Sequence, residues 1–468
     1  MRILPSARHR IATVGVALVA VGMVAAPVPA ATAERTAADD GSALVTRSGS
    51  QLLLDGHPFR FGAANEYWLG LDENVGGIDY PTDFRIRDGL QTAKDMGATV
   101  IRAHTLGVST ALPRSVEPAL GQFNEAAFRT IDYSIYQARR IGLHLLVPLT
   151  DNWHWYHGGK HDFTDWLGLP EDAFYTDPAA IAAFEDFIAH LLNHVNAYTG
   201  VALKDDPTIM AWELGNELNG MPGSWINTIC AYLKELSPQH LVSVNQQSGI
   251  NPASLTAPDA DIIDVHYYPP STSQIEADAA TVAAAHKVYF AGEYGSVSAS
   301  SSLLMPLVAD RDVTGAAFWS LFPHRDDYGY VQHSDGFTLH YPGDTDAMRA
   351  QAEAIRDFAW AMTQSVSGGP NRVPPVPAPG RPLVTSLTPS ATGTAIAWRG
   401  ATTASDYTVQ RSTAGTRGPW LTVCDRCATD NDTPWTDATA PSGTAWYRVI
   451  PFTAEGTAGQ PSPPAMTA

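Results

Sequence analysis

From residue 44 onward the chain alternates two apolar patterns. Short runs rich in aliphatic and β-branched residues stand at 59–64, 98–103, 143–149, 208–214, 241–245, 262–266, 288–292 and 316–321. Between them lie longer stretches with apolar residues at helical spacing, such as 124–141 and 178–198. The second opens with Asp177-Pro178, an N-cap residue followed by proline in the first turn. Strands alternating with helices predict βα units on a parallel sheet. Eight such strands in roughly 320 residues fit a (β/α)8 barrel better than an open doubly wound sheet. A hairpin pattern just before them, LVTRSGSQLLLDG, is expected to cap the bottom of the barrel.

The pattern changes at both ends. Residues 365–382, SVSGGPNRVPPVPAPGRP, have the composition of an extended linker and are expected to divide the chain cleanly. Beyond it, residues 383–468 show no helical period. The runs TAIAWRG, DYTVQRS, PWLTV and AWYRVIPFTAEG are separated by turn residues, which predicts a small all-β, immunoglobulin-like sandwich with Trp398 and Tyr447 in its core. The fold class is therefore α/β, a (β/α)8 TIM barrel over residues 44–364 followed by that sandwich. At the other end, Arg2, Arg8 and Arg10 precede the apolar stretch 11–26 and the small-residue sequence APVPAATA. That is the layout of a secretory signal over residues 1–33, with a disordered lead-in at 34–43. The apolar run is short and meets Pro27 and Pro29, so a membrane anchor fits less well, and a secreted, extracellular protein is expected.

Net charge and cysteine count narrow the partners. A formal charge of −19 argues against binding nucleic acid, which requires a basic face. Three cysteines exclude a disulfide-built scaffold and any multi-cysteine zinc site. Cys424 and Cys427 stand close enough to bridge in an oxidising compartment, and Cys230 reads as a small buried hydrophobe on a helix.

In a (β/α)8 barrel the polar residues that meet substrate sit at the carboxyl ends of the strands. The fourth apolar run continues as IMAWELGNELNG, delivering Asn216 and Glu217; the seventh continues as VYFAGEYGS, delivering Glu293. A single strand-end glutamate is most often a solvated charge or half of an ion pair. Two of them, each behind an apolar strand, match glycoside hydrolysis, where one carboxyl protonates the leaving oxygen and the other attacks the anomeric carbon. The sequence has no G-x-S-x-G elbow and no H-E-x-x-H pair, so esterase and zinc-protease readings fail. No cofactor and no catalytic metal is expected, because two carboxyls need neither. Aromatic residues cluster in PLTDNWHWYHGGKHDFTDWLG and NEYWLG, suiting the apolar faces of pyranose rings, with Trp68 and Trp153 the expected sugar contacts.

The segments AWELGNEL, AGEYGS, DVHYYP and IRAH resemble the retaining glycoside hydrolases of clan A, in particular family 5, and the resemblance extends over about residues 44–362. It implies that Glu217 is the acid/base, that Asn216 bonds the sugar 2-hydroxyl, and that Glu293 is the nucleophile. It further implies that Arg102 holds Glu293 ionised, that His266 and Tyr268 line the reacting subsite, and that Trp319 forms its floor. The segments NEYWL, PLTDNW, YHGG, FYTDP, KDDPTIMAWEL and HSDGFTLH resemble the fungal and plant endo-β-1,4-mannanases within that family. Asn152 and His104 join the substrate-binding set on the same grounds. Two places depart from that group: Leu218 and Asn219 follow the acid/base where it has Pro and Arg, and His104 stands where it has Trp. Both border the subsites next to the cut, which leaves endo and exo action open. The alternatives are an exo-acting β-mannosidase or another β-glycosidase of the clan, and a non-catalytic carbohydrate-binding protein. WRG, YTVQRS and YRVIPFTAEG resemble a fibronectin type III domain. The partner implied is a poly- or oligosaccharide, bound by a monomer.

Overall fold

The computed structural model describes residues 43–368, 372–430 and 433–467; the expected signal segment and all but the last residue of the lead-in lie outside these. Strands β1 (Val45–Ser48), β2 (Gln51–Leu54) and β3 (His57–Phe59) form an antiparallel three-stranded sheet, one strand more than the predicted hairpin. Eight parallel strands then close into a barrel: β4 (Phe61–Asn65), β5 (Val100–Arg102), β6 (His144–Pro148), β7 (Ile209–Glu213), β8 (Leu241–Gln246), β9 (Ile262–Tyr267), β10 (Val288–Gly295) and β11 (Val313–Trp319).

All eight correspond to the runs read from sequence, with shifted ends. The first run is split at Arg60, whose guanidinium donates to the carbonyls of Leu307, Val308, Asp310 and Val313. Strand β10 continues three residues beyond expectation, so Glu293 is held inside the ladder rather than on a loop. Helix Pro178–Asn193 begins as expected, with the Asp177 carboxylate accepting from Ala179 N and Ala180 N.

Val45, Leu52, Phe59 and Phe61 pack with Val100, Leu146, Met210, Leu241, Ile262 and Phe290 into one apolar plug. It closes the barrel from the side of the three-stranded sheet, as the hairpin reading anticipated. Polar strand ends are therefore accommodated only at the opposite, carboxyl end. The last helix of the barrel, Asp346–Ser367, runs into the predicted linker before the chain turns extended.

Among the described residues, seven strands make the C-terminal sandwich: β12 (Leu383–Ser390), β13 (Gly393–Arg399), β14 (Asp406–Ser412), β15 (Leu421–Ala428), β16 (Trp435–Asp437), β17 (Trp446–Phe452) and β18 (Ala465–Met466). They form sheets ordered β12-β13-β16 and β15-β14-β17-β18. Trp398 and Tyr447 are buried in its core and Cys230 is buried on helix Gly223–Leu236, each as expected, while Cys424 and Cys427 are bridged, which their spacing allowed but did not decide. The clean division of the chain is not found. Tyr328, from the loop after β11, lies in the sandwich core edge-on to Trp398 at 5.4 Å, and His324 stands between Asp88 (2.8 Å) and Asp430 (3.4 Å). The linker itself is pinned, with Arg356 donating to Pro374 O and Thr403 to Pro377 O. Proline content predicts an extended segment, which this is, but says nothing about what its two flanks touch.

Candidate active site

At the carboxyl end of β5, Arg102 is fully buried and joins four strands. Its guanidinium donates to Glu213 Oε1 at 2.6 Å, Asn216 Oδ1 at 2.9 Å, Glu293 Oε1 at 2.6 Å and Asn65 Oδ1 at 3.3 Å. A planar fork of five donors is the one side chain that can satisfy so many acceptors at fixed angles.

Glu217 emerges from β7 through Gly215 and Asn216 and has φ +53°, a left-handed conformation unusual for a residue with a side chain. Its backbone N–H is held by Asn245 Oδ1, and its carboxyl by two partners: His266 Nδ1 lies 2.9 Å from Oε1, and Trp153 Nε1 donates to Oε2 at 2.5 Å. Glu293 binds Arg102 through Oε1 and accepts the Tyr268 hydroxyl on Oε2 at 2.8 Å. His266 Nδ1 is 3.4 Å from the same Oε2, so the imidazole lies between the two carboxyls. One oxygen of each glutamate and the His266 nitrogen lie within 4.8 Å of one another. Among the described residues this is the one such grouping close enough to hold a cation, but the short contacts are hydrogen bonds that share protons.

The charges differ from the sequence expectation. Burial lifts the Glu293 carboxyl above its ordinary range by more than His266 and Arg102 pull it back. Burial also raises Glu217, but the hydrogen bonds from His266 and Trp153 outweigh it and hold this carboxyl below its ordinary value. Arg102 alone therefore does not make Glu293 the more acidic group. The reason is that a second cation, His266, sits on Glu217: burial opposes its charge, yet Glu293, Asp264 and Glu217 lift its pKa to about 10. His104, in contrast, is kept neutral by burial and by the neighbouring Arg102.

A cavity of about 660 Å³ opens over this centre. His104, Trp153, Asn216, Tyr268 and Trp319 line it together with both glutamates, while His266 and Arg102 form the layer beneath. Two expected contacts are elsewhere. Trp68 is 1 % exposed, donates Nε1 to Leu321 O and packs on Gly89, so it belongs to the core between barrel and helices. Asn152 does not line the cavity; its side chain accepts from Asn219 N and its backbone binds Asn216 O, steadying the turn that carries Glu217. Tyr67, one residue before Trp68, faces the cavity instead and stacks on Trp319 at 5.1 Å. Sequence reading also missed Gln247, His333 and Asp335, the last accepting the Trp319 indole N–H at 2.6 Å. The latter two lie in HSDGFTLH, a segment that carries the resemblance but from which no site residue was chosen, because the irregular stretch after β11 has no periodicity to place its side chains. Trp155, noted in the aromatic loop but not chosen, is 58 % exposed on the cavity wall.

Fold and site define a closed (β/α)8 barrel with a paired-carboxyl centre at its carboxyl end, the arrangement by which glycosidic bonds are hydrolysed. A model of the family described as "GH family 5 beta-mannosidase-like" matches residues 42–260. A putative mannan endo-1,4-beta-mannosidase P of Arabidopsis thaliana is 33 % identical over 247 residues, covering 47 % of this chain and 59 % of that protein. The chain thus spans about three-fifths of the length of that curated relative. Among solved structures, the endo-1,4-beta-mannanase of Rhizomucor miehei is similar with a TM-score of 0.55 at 24 % identity, covering 69 % of this chain and 99 % of that one. The hyperthermostable endo-1,4-beta-D-mannanase of Thermotoga petrophila RKU-1 aligns with a TM-score of 0.54 at 27 % identity over 64 % of this chain and 99 % of that one.

Proposed function

We propose that this protein is a secreted glycoside hydrolase that cuts β-1,4-mannan within the chain, with retention of configuration. The observation that carries the proposal is the convergence of Glu217 and Glu293, with an oxygen of each within 4.8 Å. Carboxyls about 5–5.5 Å apart suit attack by one of them on the anomeric carbon, whereas inversion leaves a gap of about 6.5–9.5 Å for water. Glu293, reached by Arg102 and Tyr268, is the nucleophile; Glu217, facing it beside Trp153, is the acid/base: ionised at rest, it passes to the leaving oxygen a proton received from His266 Nδ1 and returns to that imidazole the one it later takes from the attacking water. The family and structural matches support a glycoside hydrolase, and the names of the relatives support mannan as substrate. The sandwich, with three strands in one sheet and four in the other, we assign to the fibronectin type III-like class.

The test is a screen of the purified protein against mannan, galactomannan, glucan and xylan, beside Glu293→Gln. Mixed short manno-oligosaccharides of retained anomeric form are expected from the wild type, and turnover lost with binding kept in the variant. Release of mannose alone overturns the endo assignment, and full activity in Glu293→Gln overturns the mechanism.

A further inference from the structure

Asp264 lies on β9 two residues before His266 and is fully enclosed. Its Oδ1 accepts the backbone N–H of Gly292, the residue before Glu293, at 2.7 Å. A β-carbon on Gly292 would stand 2.1 Å from both Asp264 oxygens, so glycine is required there for the carboxylate to fit. The second oxygen, Oδ2, is 3.4 Å from Arg102 Nε and 3.8 Å from His266 Nε2. Neither Oδ2 nor His266 Nε2 has a hydrogen-bond partner of its own. One aspartate thus touches the strand that carries the nucleophile, the arginine that binds it, and the far side of the imidazole that holds the acid/base.

We propose that Asp264 is a positioning residue whose negative charge keeps His266 protonated on Nε2, so that Nδ1–H stays directed at Glu217 and Glu293. The role rests on the hydrolase reading given above. A neutral imidazole protonated on Nδ1 would turn a lone pair toward Oδ2, and one protonated on Nε2 would turn a lone pair toward the glutamates; only the cation satisfies both sides. The other ionisable groups facing this pair are Arg102 on β5 and His104 just beyond it, Glu213 on β7, Glu217 beyond it, and Tyr289 and Glu293 on β10. Glu213 does not compete for the role. Burial pushes its carboxyl up, and the neighbouring Asp264 pushes it further against the pull of Arg102, so that of the two adjacent carboxyls Asp264 is the ionised one. Removing an anion from such a cluster lowers every remaining pKa in it.

Asp264→Asn is expected to lower kcat about tenfold and to move both limbs of the kcat/KM profile to lower pH by about one unit. Gly292→Ala, which displaces the carboxylate while leaving its charge, should reduce kcat and leave the limbs nearly in place. A fall in kcat with unmoved limbs in Asp264→Asn makes the residue merely structural and overturns the proposal. An independent readout uses the wild-type protein: the His266 ring nitrogen signals in NMR, assigned by their loss in His266→Gln, should stay those of an imidazolium through pH 8. A ring that is neutral at pH 7 overturns the proposal even if Asp264→Asn fails to fold. This titration requires no turnover, so a protein that cleaves no glycan yet holds the imidazolium would end the hydrolase reading and leave the charge-holding role of Asp264 standing.

Discussion

At the residue scale, the placement of the two glutamates was legible because each stands just after an apolar run directed at the carboxyl end of the barrel. The state of their protons was not, because it depends on His266 reaching both carboxyls from a third strand. Trp153 gives a direct test. Its indole N–H favours the ionised form of Glu217, so Trp153→Phe should raise that pKa and shift the limb of kcat/KM that Glu217 sets to higher pH, opposite to Asp264→Asn. An unmoved limb would remove Trp153 from the proton balance. Trp68 tests the correction in the other direction. As a core residue its replacement by alanine should lower stability by roughly 3–5 kcal/mol while leaving KM of the folded enzyme unchanged. A raised KM at unchanged melting temperature would return it to the sugar contacts. Trp68 and Tyr67 are adjacent aromatics just past a strand end, and which of them faces the cavity is decided by packing against Gly89 and Trp319.

At the scale of elements, the existence and order of the barrel strands followed from their apolar runs, since strands buried on both faces read as short continuous apolar segments whose length and β-branched content set them apart from the longer helical stretches between them. Their ends did not follow. Strand β11 stops at Trp319, whereas its apolar run continues to Leu321, because Leu321 bonds the β4 residue Asn65 and Phe322 bonds Leu339. The seal between β4 and the final helix offers a measurable consequence. A β-carbon on Gly62 would meet the Ala359 Cβ at 2.4 Å and its Cα at 2.6 Å, so Gly62→Ala should cost about 1–3 kcal/mol, read as a drop in Tm. An unchanged Tm would mean that the helix can move away without loss.

For the whole molecule, the barrel and sandwich share a buried ionic contact in which His324 lies between Asp88 and Asp430. Burial opposes its charge, but the two carboxylates lift its pKa to about 10, against about 6.5 for an unperturbed histidine. Its stabilising contribution is therefore complete below about pH 6.5 and is lost as pH rises through 10. Thermal unfolding between pH 6.5 and 10 should show a decline in Tm that is much shallower in His324→Ala, and that variant should lose about 3–5 kcal/mol at neutral pH. Equal slopes would assign the decline to other groups. The linker composition gave no sign of this contact, because its partners come from a barrel helix, the loop after β11 and the sandwich. By itself, the sequence determined the alternation of strand and helix, the two-part architecture and the pair of glutamates, since these depend on patterns local to each run. Tertiary structure alone decided which aromatics face the cavity, which buried groups carry charge and how the sandwich is seated. Each of those depends on distances between residues that are far apart along the chain, and electrostatic and packing energies are set by such distances.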